Sequence, residues 1–228
     1  MPRAGLSTAV VVRTAADLAD EAGWEALTLA AVASRLGVRQ PSLYKHIGSL
    51  ADLRRAVGLL AVTELGELLM AAVAGRSGVD ALLHLALAYR DYARAHPGRY
   101  AASVIAPAPG DAEHARRGEA VLRTIGAVLR GYGLGADPSP GERPRGGDGV
   151  SGRTHPAGTP DTDTLHAIRA LRAMLHGFVA LEAAGGFGLP LDLDESYRRM
   201  VAGFDAALSD HGRASRSEHR AGVTVTAR

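Results

Sequence analysis

The sequence predicts an all-α chain: an N-terminal three-helix domain with helix-turn-helix spacing, then a larger helical domain. Three observations lead there. Apolar residues recur at spacings of three and four through most of the chain, as helices with one buried face require. Alanine is abundant and aromatic residues make up only 4%, which favours close-packed helices over a β-sandwich. No segment makes a convincing strand; VTVTA near the end has β-propensity but no partner to pair with.

The elements follow in order. Ser7–Ala22 places Val11, Ala15, Leu18 and Ala22 on one face, and Gly23 ends it. Trp24 and Leu27 fold back onto the core. Thr28 is positioned as N-cap for a second helix, Leu29–Leu36, which Gly37 closes while Val38 plugs the turn. A short third helix is expected over Gln40–Ile47, with Pro41 in its first turn and Leu43 and Ile47 facing inward. Ser49 then caps a long helix from Leu50 to Val73. A fifth helix covers Asp80–Ala95 and stops at His96-Pro97-Gly98. A short helix is expected around Arg99–Ile105, and a longer one over Asp111–Tyr132.

Leu134–Pro160 differs in kind. It is crowded with proline and glycine, has almost no large apolar residue, and reads as a disordered insert, residues 134–160. Strong helices are expected over Asp161–Ala184 and Asp192–Leu208. From His211 the chain is polar and arginine-rich, so residues 211–228 read as a flexible tail.

Composition bounds the function. With no cysteine, disulfides, thiolate metal sites and cysteine nucleophiles are excluded, and a cytoplasmic setting is the simplest. The first residues lack a long apolar core and a cleavage site, so a signal peptide is not expected. Thr63, Glu64, Gly66 and Glu67 interrupt the apolar run Val57–Val73, so no membrane partner is expected. The formal charge is only +2, which makes the position of charge more informative than its sum.

The segment GVRQPSLYKHIGSL, from Gly37 to Leu50, sets Tyr44, Lys45 and His46 in a row. An ordinary core helix does not use three consecutive positions that way. In a helix-turn-helix, the segment after the turn enters the DNA major groove with its first residues toward base edges. Arg39, Gln40 and Ser42 fall there: arginine can read guanine and glutamine adenine, each with paired hydrogen bonds. Tyr44 and Lys45 suit phosphate oxygens, and the amide end of the helix beginning at Thr28 suits another.

Residues Thr28–Val57, TLAAVASRLGVRQPSLYKHIGSLADLRRAV, resemble the DNA-binding segment of the TetR family of transcriptional regulators. Thr28, Ala33, Leu36-Gly37-Val38, Leu43-Tyr44, His46, Gly48-Ser49 and Leu53 carry the resemblance. His176–Pro190, HGFVALEAAGGFGLP, is similar to the WHG-type C-terminal domain of one subgroup. The resemblance implies a DNA-binding domain over residues 1–56, with Thr28, Arg39, Gln40, Pro41, Ser42, Tyr44, Lys45 and His46 at the DNA. It implies an effector-binding and dimerisation domain over residues 57–210. Tyr89, Tyr92, Tyr100, His176 and Phe178 are then candidates for the effector pocket. Leu165, Ile168, Leu171, Leu175, Tyr197, Val201, Phe204 and Leu208 are candidates for a homodimer interface, completing the monomer's own core being the alternative. Expected partners are a pseudo-palindromic duplex operator, a small-molecule effector and a second copy of the chain.

The segment also departs from the family pattern. Arg39 stands where a capping serine is usual, and Ala30, Ala31 and Leu50 stand where basic residues are common. The tryptophan that names the C-terminal domain is Leu175 here. These departures imply fewer phosphate contacts and a gentler salt dependence. They keep an alternative open, a helical small-molecule-binding protein with weak or no specific DNA binding. An enzyme is not expected: there is no nucleophile with a base and no cofactor motif. Gly147–Gly152 matches G-x-G-x-x-G but has no strand before it and no helix after it. The histidines show no metal-binding spacing.

Overall fold

The computed structural model describes residues 6–134 and 161–225, with side chains up to Arg213. Among the described residues there are eight α-helices and no strand. They are α1 (Thr8–Ala22), α2 (Leu29–Leu36), α3 (Leu50–Val73), α4 (Gly78–Ala95), α5 (Pro97–Ser103), α6 (Ala112–Arg130), α7 (Thr162–Ala183) and α8 (Leu193–Val225). The boundaries follow capping chemistry. Side-chain oxygens of Ser7, Thr28, Ser49, Asp111 and Asp161 each accept a backbone amide from the first turn of the helix they open.

Two cores stack end to end. The head core gathers Val11, Ala15, Val32, Leu43 and Ile47 around the first half of α3, through Leu53, Val57 and Ala61. The body core begins at Val62 and Leu65 of the same helix and takes in α4, α6, α7 and α8. α3 is therefore a shared spine. It is long and apolar enough to cross a membrane by length and composition alone. Here it serves both cores, packing against α1, α4, α5 and α6. A helix enclosed on several sides is apolar nearly all round.

Three sequence expectations change. The segment after the helix-turn-helix turn is not an α-helix over Gln40–Ile47 but a 3-10 helix, Gln40–Lys45. Arg39 offers no side-chain cap, and Pro41 lacks an amide hydrogen, so the first turn has few ways to close in α geometry. Instead Ser42 N–H donates to Arg39 O at 2.9 Å and His46 N–H to Leu43 O at 2.8 Å. Residues 211–225, expected as part of a loose tail, continue α8 as helix. Leu134, placed in the insert, is buried in the body core. The rest of that insert, residues 135–160, lies outside the described residues, as do residues 226–228.

Candidate nucleic-acid interface and effector cavity

The head presents one polar surface. Thr28 Oγ1 accepts Ala31 N–H at 3.1 Å, which fixes the start of α2 at the surface. Gly37 ends α2 at φ 66°, a left-handed conformation that glycine adopts without strain. Val38 N–H bonds back to Ala33 O at 3.0 Å and closes the turn. Leu43 is then fully buried, and Ile47 nearly so. With those two inward, Arg39, Gln40, Pro41, Tyr44 and Lys45 are exposed, and Ser42 and His46 are half-buried. Tyr44 keeps 51% of its surface exposed, a large ring with no core role. Gln40 Nε2 donates to Tyr44 Oη at 3.4 Å. Thr8 Oγ1 donates to the carbonyl of His46 at 3.3 Å, tying α1 to the end of the 3-10 helix.

Charge pairing separates the basic residues of the head. Arg35 pairs with Glu21, and Arg54 lies 3.7 Å from Glu25 and 5.6 Å above the Trp24 ring. Arg39 and Lys45 have no acidic partner among the described residues. Leu50 is half-buried against the head core, so its position offers nothing to phosphate.

The candidate effector residues separate in the same way. A cavity of about 350 Å³ lies among α3, α4, the end of α5, α6 and α7. Of the five sequence candidates only Tyr89 lines it. Tyr100 stands behind: its hydroxyl lies 2.9 Å from Tyr89 Oη and 2.6 Å from His176 Nδ1, a chain linking α4, α5 and α7. Burial pushes the Tyr89 and Tyr100 hydroxyls above their ordinary pKa, so both stay protonated. Tyr92 Oη donates to Ala61 O at 3.2 Å and supports α3. Phe178 packs on Phe187 and Tyr197 beneath Arg90, in the core. Sequence reasoning missed His114 and Arg172, which also border the cavity. Nothing in their spacing marks them, because a cavity is defined by what five helices leave unfilled.

The interface candidates need a correction. Ile168, Leu171, Leu175, Tyr197, Val201 and Leu208 are buried inside the single chain, and Phe204 packs against the same core. They complete the monomer. Only Leu165 is half-exposed without being part of that core packing. The outward faces of α7 and α8 carry small residues, Ala170, Ala173, Ala180, Ala202, Gly203 and Ala206, among charged ones such as Arg169 and Arg199.

A clasp joins head to body. Gly98, at the start of α5, lies directly against the α1 backbone at Ala19. Beside it Arg99 N–H donates to Asp20 Oδ1 at 2.8 Å, and the Arg99 guanidinium pairs with Asp17 and Asp20. His96 Nδ1 lies 3.1 Å from Asp20 Oδ2. Arg55 on α3 forms two hydrogen bonds of 2.5 and 2.6 Å with Asp111, the N-cap of α6. That guanidinium, together with the His114 amide, holds the Asp111 carboxyl down at about 2.

Comparison with known proteins agrees with this architecture. Residues 11–57 match the family model described as bacterial regulatory proteins, tetR family. Residues 82–204 match a tetracyclin repressor-like C-terminal domain. The chain is 34% identical over 217 residues to the uncharacterised HTH-type transcriptional regulator Rv0681 of Mycobacterium tuberculosis, covering 93% of this chain and 88% of that one. It is 30% identical to the uncharacterised HTH-type transcriptional regulator YobS of Bacillus subtilis, covering 91% and 95%. The fold is similar to that of the transcriptional regulator SCO7222, a TetR from Streptomyces coelicolor, at a TM-score of 0.61, 19% identity and 90% and 99% coverage. It is also similar to a TetR variant of Acinetobacter baumannii solved in complex with minocycline, at a TM-score of 0.59, 19% identity and 90% and 98% coverage. On the match of both domains and the near full-length relatives, the chain belongs to the TetR family of transcriptional regulators.

Proposed function

We propose that the protein is a dimeric repressor released from a pseudo-palindromic operator by a small-molecule effector. The observation that carries this reading is the clasp. The cavity wall and the DNA-facing head are joined by α5, which touches α1 at Gly98 and Arg99 and borders the cavity at Ser103. A ligand that moves the end of α5 therefore acts on α1, and α1 holds the 3-10 helix through Thr8. The mechanism is a population shift between two head positions, only one of which matches successive major grooves. A coupling of about 1–3 kcal/mol would change operator affinity about five- to 150-fold.

In this reading Arg39, Gln40 and Ser42 meet base edges, while Thr28, Tyr44 and Lys45 meet phosphate and Pro41 and His46 shape the segment. The outward small-residue faces of α7 and α8 form the dimer contact. A methyl group added at Gly177 or Gly203 would meet nothing within 4 Å, so both faces are open to close helix approach. That the Acinetobacter relative was solved in complex with minocycline supports a small-molecule effector.

In-vitro selection from random duplex DNA at two salt concentrations tests the reading. An enriched pseudo-palindrome supports it. If well-folded protein enriches nothing at either salt, the DNA-binding reading fails and a helical small-molecule-binding protein remains.

A further inference from the structure

The cavity lining is mostly apolar, from Val62, Leu65, Val121, Leu122 and Ile125, with a few polar groups set into it. Its volume, about 350 Å³, lies at the small end of the range for small-molecule pockets. The polar groups include one carboxylate, Glu119, and one guanidinium, Arg172. Arg172 borders the cavity and has no acidic partner among the described residues. Glu119, the acidic residue of the lining, lies 4.0 Å from Arg123 one turn on. His114 is 7% exposed and borders the cavity, and its imidazole makes no hydrogen bond among the described residues. An imidazole that borders the cavity with no hydrogen-bond partner among the described residues is free to bond a molecule held there.

The two groups are spaced along the cavity. α6 and α7 meet where Ile168 approaches Gly126. One turn from that contact on each helix, Leu122 and Arg172 both border the cavity. His114 lies eight residues before Leu122 on α6, about 12 Å away at 1.5 Å per residue. Tyr89 stands with Arg172: its hydroxyl feels the guanidinium charge.

From this arrangement we propose that the effector is an elongated, mainly apolar organic acid. Arg172 takes its carboxylate beside Tyr89, and His114 hydrogen-bonds a polar group at the other end. This rests on the cavity being the effector site of the proposed regulator. The charge makes the choice of class: an unpaired arginine at an apolar cavity favours an anion, and disfavours an amine of the same shape. His114 has a further consequence. It follows Asp111 by one turn, and Asp111 carries the ion pair to Arg55 on α3. Ligand held at His114 therefore pulls on the α6 cap that is tied to the spine.

The test is calorimetric titration of the full chain with decanoate, decanol and decylamine, followed by decanoate against 10-hydroxydecanoate. Decanoate should bind about tenfold or more tighter than decanol, as one charge-assisted contact implies, and decylamine should be weakest. Arg172→Gln should erase the preference for decanoate over decanol by weakening decanoate far more than decanol, and Arg172→Lys should keep part of it. Arg172 is exposed, so neither change threatens the fold. The terminal hydroxyl should improve binding to the parent and not to His114→Leu. Equal affinity for acid and alcohol, tighter binding of the amine, no binding of any probe, or a preference that survives Arg172→Gln would each overturn the proposal. Operator selection with the same protein separates these failures from failure of the regulator reading itself.

Discussion

Replacing Gly98 with alanine should break the clasp. A methyl group there would sit 2.1 Å from the Ala19 carbonyl carbon and oxygen and 2.5 Å from the Asp20 nitrogen. All three are backbone atoms and have no rotamer to escape into. Restoring an ordinary separation of about 3.5 Å requires α5 and α1 to part by about 1.4 Å. The Arg99 amide stands 2.8 Å from Asp20 Oδ1. The same displacement stretches that contact to as much as about 4.2 Å, beyond any hydrogen bond. Overpacking costs about 1–3 kcal/mol and the lost bond to a carboxylate about 1.5–3 kcal/mol, so stability should fall by roughly 2.5–6 kcal/mol. Trp24, the single tryptophan, packs on the head core and reports the head alone. Circular dichroism reports every helix. In urea, Gly98→Ala should bring the Trp24 transition to lower denaturant than the helix transition, because a head freed from the body unfolds separately. Gly118→Ala, in a helix with no atom within 4 Å of the added methyl, is the control and should be neutral or slightly stabilising. Coincident transitions in Gly98→Ala at the parent midpoint would refute the steric argument.

Three further outcomes follow from the same geometry. Tyr44→Phe with Lys45→Ala should weaken binding to all duplexes alike and flatten the salt dependence, whereas Gln40→Ala should relax preference at one operator position by about 1–3 kcal/mol; fluorescence anisotropy against the selected operator and its point variants separates the two. Arg90 is buried, with two hydrogen bonds to Glu182 at 2.7 and 2.8 Å and one to Asp194 at 2.9 Å. Arg90→Met should cost about 3–5 kcal/mol of unfolding free energy by stranding Glu182, and Arg90→Met with Glu182→Leu should recover part of that loss. The Asp111 carboxyl sits at about 2 against an ordinary 3.8, so its contribution is complete above the ordinary value and is lost as pH falls toward 2. The urea midpoint of Asp111→Asn should therefore lie below the parent at neutral pH and converge with it as pH falls from the ordinary carboxylate range toward about 2.

What the sequence reveals and what it conceals divide along a physical line. Helix limits are legible because they are local: Ser7, Thr28, Ser49, Asp111 and Asp161 bond amides three residues on. The exposed set around Tyr44 and Lys45 is legible because Leu43 and Ile47 occupy the inward positions on the same short segment. The 3-10 geometry of that segment is only half legible. Arg39 is visibly a poor cap, but its effect combines with the missing amide hydrogen of Pro41, and neither residue alone dictates the tighter turn. The interface candidates show the limit of periodicity. Ile168, Leu171 and Leu175 mark a buried face, and periodicity does not say whether the cover is the same chain or another. The cover includes α4, which lies some 80 residues earlier in the chain.

The clasp is beyond local reading for the same reason. Arg99 and Asp20 are 79 residues apart, and neither has a distinctive neighbourhood in the sequence. In the proposed mechanism their pairing is decisive, because each core alone would be a passive unit. The spine α3 is gripped by both cores and moves with both, so it does not by itself turn one against the other. An off-axis connection is needed to convert a shift in the cavity wall into a rotation of the head. α5 supplies it, being short, begun by Pro97 and in direct backbone contact with α1 at Gly98. Arg55 with Asp111 supplies a second, from α3 to the start of α6. Two lateral ties about one spine make a lever, and the cavity lies between them. Cutting the Arg55–Asp111 tie should leave DNA binding and ligand binding intact while weakening the coupling between them. Operator affinity of Arg55→Gln with and without a bound acid measures that: a ligand effect equal to the parent's would mean the flank through α6 carries no coupling.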